Sequence, residues 1–362
     1  MNIALLDRLK RAGGFVPIEG LGASPADLDE LESFGFQFER SEERGIAYRV
    51  PSPRLCPDQI EWDLGTKVIG RRIAVWNRVG STNDLAARAA ASSTNDGLVF
   101  LAEEQTSGRG SRGRKWSAPA GSSILMSCLL FPPIPLQDPG WLTSFAAVAV
   151  AEAIAELGLM MRGEPIKARI KWPNDIWFEG RKLGGILVER GQGTVIGIGL
   201  NVNLRPEDFP EELRETATSL QAVVGRTIDR SELVRLILRQ LDRAYDSSIR
   251  RGPDDLGSLY ERRSAHYWHE VDVSTPSGIV RGRLGKIDLR MGLEVGLSHD
   301  DSRKISLKDV LGIVNRPGSV RWTWDEYQAR WWHASSDQVY RGRVDETRGV
   351  DTGARLADDF EG

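Results

Sequence analysis

Apolar residues recur along this chain at two spacings, and the changes between them mark its organisation. "IALLDRLKRAGG" reads as a short amphipathic helix stopped by Gly13-Gly14. "ASPADLDELESFG" carries Ser24 as N-cap, Pro25 at the first helical position and Gly35 as a stop. "FQFERSEERGIAYRV" predicts two strands joined by a turn at Glu43 to Gly45. Residues 54–250 then alternate strand and helix signals. "RRIAVWNRV" is a strand and "STNDLAARAAA" a helix; "GLVFLAEE" and "SSILMSCLLF" are strands. "GWLTSFAAVAVAEAIAELG" is the longest apolar helix, and its stripe reads as core. Four strands follow in close succession ("KARIKW", "DIWF", "KLGGILVER", "TVIGIGLNVN"), and then a helix, "SELVRLILRQLDRAYDSSIR". Residues 268–314 change to short strands with glycine turns, the pattern of a small β-barrel.

These elements predict an α/β (α+β) protein, with a mixed rather than a doubly wound sheet because the later strands follow one another so tightly. The expected divisions are a small unit at 1–53, a main domain at 54–266, a small β domain at 267–314, and a tail at 315–362. Helix, helix, hairpin in the first unit is the order of a winged helix. Yet residues 1–50 hold six Lys/Arg against nine Asp/Glu, the wrong balance for a duplex-binding surface. The tail contains "RWTWDEYQARWW", with Trp324, Tyr327 and Trp331 at helical intervals, and this stretch is expected to pack on the protein. The charged residues after about Gln338 are expected to be disordered.

Composition narrows the class. Hydrophobic residues make up 40% and charged ones 27%, as in ordinary globular proteins. A net charge of −3 leaves no overall basic footprint for nucleic acid. Cys56 and Cys128 imply no disulfide framework. His266 and His269 form an H-x-x-H, but no Cys or carboxylate stands around them at metal-site spacing. The N-terminus lacks the basic flank and apolar core of a signal peptide. No run is expected to reach the ~20 apolar residues of a membrane span. The cytoplasm is the default.

The chemistry concentrates in four stretches. "EEQTSGRGSRGRKWSAPAGSS" sets Arg109, Arg112, Arg114 and Lys115 among Gly108, Gly110 and Gly113, and Trp116 closes the run. Alone, it admits three readings, of which a lid over an anion leads and a solvated loop comes second; an RNA-binding segment is disfavoured because the loop is single and tightly flanked by strand-like runs. "KWPNDIWFEGRKLGGILVE" sets Asn174 and Asp175 at a strand start, and a tight turn brings Lys182 opposite Asp175 or nearly so. Gly184-Gly185 inside the second strand marks close approach of a ligand or another backbone. "STND" opens a helix, with Ser81 or Thr82 capping it. "GIGLNVN" lacks the last glycine of a dinucleotide fingerprint, and reads better as a glycine-lined strand delivering Asn201 and Asn203 to a cleft.

In that order, over Arg72 to Val314, these motifs resemble the biotin–protein ligases (the biotin–[acetyl-CoA-carboxylase] ligase and holocarboxylase synthetase family). The resemblance implies a mixed-sheet catalytic domain akin to lipoate ligases and class II synthetase cores, followed by an SH3-like barrel. It implies that biotin's carboxylate attacks ATP to give biotinyl-5′-AMP, which then acylates a lysine of a biotin carrier domain. Lys182, Arg109 and Asp175 would be catalytic, with Asp175 near Mg²⁺. Biotin would lie against Ser81, Thr82, Asn83, Gln105, Gly108, Arg109, Gly110, Ser111, Lys182 and Gly185. The nucleotide would meet Arg112, Arg114, Trp116, Asn174 and Asn201, with Trp116 chiefly anchoring the lid. Ser111 departs from the family's pattern, where arginine is common, so the lid has one cation fewer to retain the adenylate.

Two other readings share the scaffold. A lipoate or octanoyl transferase should lack the long Arg/Gly lid together with "KWPND". A biotin-sensing repressor would need a DNA-binding unit, and the acidic 1–53 segment argues against one. Monomer and homodimer are both left open.

Overall fold

The computed structural model describes residues 1–133, 136–251, 255–289, 291–298 and 301–317. The tail beyond Pro317, with its tryptophan cluster, lies outside the described residues. The described chain forms two compact units that divide between Ala265 and His266.

The first unit begins with α1 (Ile3–Ala12), α2 (Pro25–Phe34) and the hairpin β1 (Gln37–Ser41)–β2 (Gly45–Val50). Ser24 and Asp27 cap α2 reciprocally, and Gly35 ends it in a left-handed conformation. Leu5, Leu6, Leu9, Leu28, Leu31, Phe36 and Ile46 bury a small core of their own, which Cys56 completes. A short helix α3 (Pro57–Glu61) leads into the main sheet.

That sheet has seven strands: β3 (Arg72–Val79), β4 (Leu98–Gln105), β5 (Ser123–Leu130), β6 (Arg169–Lys171), β7 (Asp175–Phe178), β8 (Arg181–Arg190) and β9 (Thr194–Asn201). Their spatial order is β3-β4-β5-β9-β8-β7-β6. Among neighbouring strands only β3 and β4 run parallel, and the helix α4 (Thr82–Ala89) makes the crossover between them. Every other pairing is antiparallel.

One face of β9 explains the site. Val195 packs in the α4 cluster, Gly197 abuts Asn83 of α4, and Gly199 abuts Trp116. With a period of two, these positions and Asn201 share a face. A side chain at Gly197 or Gly199 would meet its neighbour at 2.4 or 2.6 Å, so only glycine admits the packing seen. On the sheet lies α5 (Pro139–Arg162), packed against α7 (Arg230–Arg251); α6 (Leu220–Val224) precedes α7 and α8 (Asp255–Arg263) follows it. Contrary to the sequence expectation, α5 is long and apolar enough to cross a membrane, with mean hydropathy 1.6 over its most apolar window. That window is 72% buried inside the protein, which is what a core helix requires.

The second unit is a five-stranded antiparallel sheet in the order β13-β12-β11-β10-β14. Its strands are β10 (Glu270–Thr275), β11 (Gly278–Asp288), β12 (Gly292–Gly296), β13 (Ser302–Ile305) and β14 (Gly312–Asn315). Val271, Val273, Leu284, Leu293 and Val295 form its core, and β11 is bulged between Leu284 and Lys286.

Candidate active site

One cavity of about 670 Å³ opens within the first unit, between the start of α4, the Gly/Arg loop, the β6–β8 strands and β9. Its lining includes Ser81, Thr82, Asn83, Gln105, Arg109, Gly110, Ser111, Arg114, Trp116, Asn174, Asp175, Lys182, Gly185 and Asn201. Two expected site residues lie off that lining. Gly108 sits behind it, where a side chain would meet the Trp116 carbonyl oxygen at 2.4 Å. Arg112 sits at the loop's outer turn in a left-handed conformation, φ 58°.

At the α4 end, the cap is not the one expected. Ser81 occupies the N-cap position but makes no side-chain cap bond. Gln105 caps instead: its Oε1 accepts from the Thr82 backbone N at 2.7 Å and from Thr82 Oγ1 at 3.0 Å. The last residue of β4 thereby holds the start of α4. Asn83 is buried, donating to Glu189 Oε2 at 2.6 Å and accepting from Ser127 Oγ at 2.5 Å.

The loop is a closed structure rather than a solvated strand of cations. Trp116 N donates to Gly108 O at 3.0 Å, and Arg109 and Lys115 form an isolated antiparallel bridge. Arg109 Nη2 donates to Asp84 Oδ1 at 2.8 Å and to Glu189 Oε2 at 3.2 Å. Asp84 first, then Glu189, raises its pKa, so Arg109 stays charged. Arg114 turns back on the loop, donating to Ser111 O and Oγ at 3.2 and 2.9 Å. The Trp116 ring lies on Gly199, so it is a wall of the cavity as well as the loop's end.

On the strands, the register sets Gly185 opposite Asp175, and Lys182 opposite Trp177 across a bulge. The side chains still meet: Lys182 Nζ donates to Asp175 Oδ1 at 2.7 Å. A side chain at Gly185 would contact both ends of that pair at 3.4–3.5 Å, so the glycine keeps the pair open to the cavity. Asn174 and Asn201 hold the walls, donating to Ile186 O at 2.7 Å and Thr218 O at 3.2 Å. Asn203, expected beside Asn201 in the cleft, is instead spent on the Ile228 backbone and lines no part of the cavity.

Sequence reasoning passed over three features. Lys171 lines the cavity with its Nζ 3.9 Å from the Trp177 ring centroid. Burial lowers its pKa, Lys182 and Arg114 add to the shift, and Asp175 opposes it. Glu189 joins Asn83 to Arg109. The segment after β9 contributes Leu204, Phe209, Leu213 and Ala217, an apolar wall with no periodic signal. Lys171 and Glu189 bound the quoted strand motif, so their positions were visible although their roles were not.

The cavity therefore has an amide- and hydroxyl-lined end at α4 and a cationic end at Lys171, Lys182 and Arg114. The buried indole N–H groups of Trp116 and Trp177 have no partner among the described residues, leaving two donors beside the cationic end. Such a site suits an uncharged polar ring at one end and a phosphate at the other.

Residues 75–203 match the biotin/lipoate A/B protein ligase family. The bifunctional ligase/repressor BirA of Bacillus subtilis is 33% identical over 267 residues, 72% of this chain and 80% of the relative. The biotin–[acetyl-CoA-carboxylase] ligase of Mycobacterium tuberculosis is 38% identical over 233 residues, 62% of this chain and 85% of the relative. The chain belongs to the biotin–protein ligase family. A biotin–protein ligase of Aquifex aeolicus, solved with biotin and ATP, superposes with a TM-score of 0.58 at 25% identity, covering 68% of this chain and all of that one. Within the biotin–protein ligases, the residue pattern described above occupies the matched stretch: Ser81 to Asn201 lies inside 75–203.

Proposed function

We propose that this protein is an ATP-dependent biotin–protein ligase that forms biotinyl-5′-AMP in the cavity and transfers the biotinyl group to a lysine of a biotin carrier domain. The observation that carries the reading is the convergence of the amide-rich α4 end, the closed Gly/Arg loop and the Lys182–Asp175 pair on one cavity, in a chain of this family.

In the first step a carboxylate oxygen of biotin bonds to the α-phosphorus, the bond to the bridging oxygen breaks, and pyrophosphate leaves. Two anions must approach, so fixed cations lower the barrier. Lys182 and Lys171 stand on strands and need no reorganisation; Arg114 adds a third charge from the loop. Mg²⁺ accompanying the triphosphate would offset part of its charge. Asp175 would take a place in its shell, since Lys182 engages only Oδ1 and one carboxylate suits a metal held mainly by phosphates. Ser81, Thr82, Asn83 and Gln105 would receive the ureido ring, Asn174 and Asn201 would set the walls around the nucleotide, and the loop would exclude water from the anhydride. In the second step the neutral amine of the acceptor lysine attacks the carbonyl carbon, AMP leaves with the bonding pair, and the amine loses a proton.

Residues 1–53 serve as a winged-helix-like cap that does not bind DNA, and the second unit as an SH3-like domain; the cytoplasm is the compartment. The anion balance supports the first point: Arg40 pairs with Glu32 at 2.9 Å and Arg49 with Glu39 at 2.7 Å, and α2 carries no Lys or Arg. The test of the reaction is mass spectrometry of a biotin carrier domain incubated with the protein, ATP, Mg²⁺ and biotin. One added biotinyl group is expected. An unmodified carrier, or lipoic acid accepted in place of biotin, would overturn the reading.

A further inference from the structure

The first residue of α7, Arg230, is one of the largest fully buried side chains in the protein. Its guanidinium meets three separate stretches of chain. Nη1 donates to Ser123 O at 3.0 Å, and Nη2 donates to Glu103 Oε2 at 2.7 Å and to the Pro53 carbonyl. Glu103 Oε1 in turn accepts from the Leu55 backbone N at 2.6 Å.

The place of these contacts is what gives them meaning. Glu103 stands two residues before Gln105, where the Gly/Arg loop leaves β4; Ser123 is where the loop re-enters the sheet as β5. Gly121 N donates to Glu103 O at 3.0 Å, which draws the two ends together. Gly121 has φ +75°, and a side chain there would come within 3.8 Å of Arg230 Nη2. The neighbours on either side belong to the cavity: Gln105 caps α4 at Thr82, and Ser123 pairs with Asn201. The cation and carboxylate are 2% and 13% exposed, so each depends on the other for its charge to stay buried.

We propose that Glu103 and Arg230 are a positioning pair that fixes the base of the loop and thereby sets how long the activated intermediate stays enclosed. Neither touches the cavity. The consequence for the intermediate rests on the ligase reading above. A loop hinged on a loose base closes less often over the anhydride, so escape and hydrolysis rise while the cations on the strands keep their places. Pro53 and Leu55 tie the connection from the N-terminal segment to the same node, so that segment's attachment bears on the loop too.

The test uses the full chain with Glu103→Gln, which keeps the shape and removes the charge, and Arg230→Lys, which keeps the charge and removes the fork. Amide hydrogen exchange is followed by mass spectrometry for residues 106–121 and for β9, without ligand. Escape of biotinyl-AMP is followed with labelled biotin. Both variants should speed exchange of the loop about tenfold or more with β9 unchanged, a shift of local opening by one decade. Escape should rise by a similar factor, with the KM for biotin little altered. Loop exchange equal to wild type would overturn the pairing, whatever the melting temperature does. Faster loop exchange with unchanged escape would overturn the link to the intermediate. If the wild-type protein forms no biotinyl-AMP, the ligase reading fails, and the exchange measurement still decides whether the pair holds the loop. Should Arg230→Lys not fold, Glu103→Gln carries both measurements.

Discussion

Replacing Lys182 with alanine separates the charge at the cationic end from the fold that carries it. Its Nζ lies 2.7 Å from Asp175 Oδ1, and the two side chains are 28% and 16% exposed. Exposed ion pairs contribute at most about 1 kcal/mol. Breaking a fully buried pair costs about 3–5 kcal/mol. A half-buried pair beside an open cavity falls between, at about 1.5 kcal/mol. In a unit of this size that lowers the melting temperature by only about 3–6 °C. The effect on chemistry is larger, because a preorganised donor at developing charge contributes about 2.7–4 kcal/mol, a hundred- to thousandfold in rate. The assay is biotin-dependent exchange of labelled pyrophosphate into ATP, run beside thermal unfolding on the same preparation. The variant should melt cooperatively and lose about two to three decades of exchange. Adding Asp175→Asn should restore stability and not exchange, since it relieves the stranded carboxylate without returning the cation. Full exchange in Lys182→Ala, at wild-type melting temperature, would refute the assignment.

Arg109→Ala removes two ion pairs and should weaken biotin and adenylate retention by about 1.5–3 kcal/mol, read by calorimetry and by release of labelled intermediate; an unchanged release rate contradicts the lid role. Gly199→Ala places a methyl 2.6 Å from the Trp116 ring. Overpacking of about 1–3 kcal/mol should displace the indole and shift tryptophan fluorescence, with ATP affinity falling; unaltered fluorescence and affinity would show that the ring is not held there. The lowered pKa of Lys171 means that its charge is lost, as pH rises, before that of an ordinary lysine at 10.5. The alkaline limb of adenylate formation should therefore move to higher pH in Lys171→Arg, and an unmoved limb removes Lys171 from the phosphate set. The intact protein should give no salt-sensitive, sequence-specific footprint on its own promoter region; a nanomolar footprint restores the repressor reading.

What the sequence made legible follows from where the information is local. The ends of α2 were readable because Ser24, Pro25 and Gly35 act within one turn of the helix. The four late strands were readable because their apolar runs are short and bounded by turns. The α4 cap was misassigned because its acceptor, Gln105, lies 23 residues away and becomes a cap only once β3 and β4 pair. The length of α5 was underestimated as a membrane-like segment because Glu152 and Glu156 interrupt its run; both find partners, Arg263 and Gln240, only in the folded core. The Arg230 node had no signal at all, since its partners are spread over Pro53, Glu103 and Ser123. The apolar wall after β9 carried no signal, because Leu204, Phe209 and Ala217 fall at no regular spacing and are scattered among acidic residues.

The cations around the cavity then divide by what they touch. Lys171 and Lys182 are carried on β6 and β8, and their positions are fixed by a tryptophan ring and a carboxylate. Arg114 and Arg109 brace the loop, one to its own turn and the other to Asp84 and Glu189. The sequence put Arg109, Arg114 and Lys182 forward as claimants on a phosphate and passed over Lys171. In the structure Arg109 spends Nη2 on two carboxylates, so a phosphate drawn to that nitrogen would displace them. That displacement also releases Glu189, whose same oxygen accepts from Asn83 at the α4 end of the cavity. The α4 end and the loop therefore share a single carboxylate oxygen. On the ligase reading proposed above, a ligand that takes Asn83 leaves that oxygen to Arg109 alone, so the first substrate to bind would steady the loop under which the second reacts.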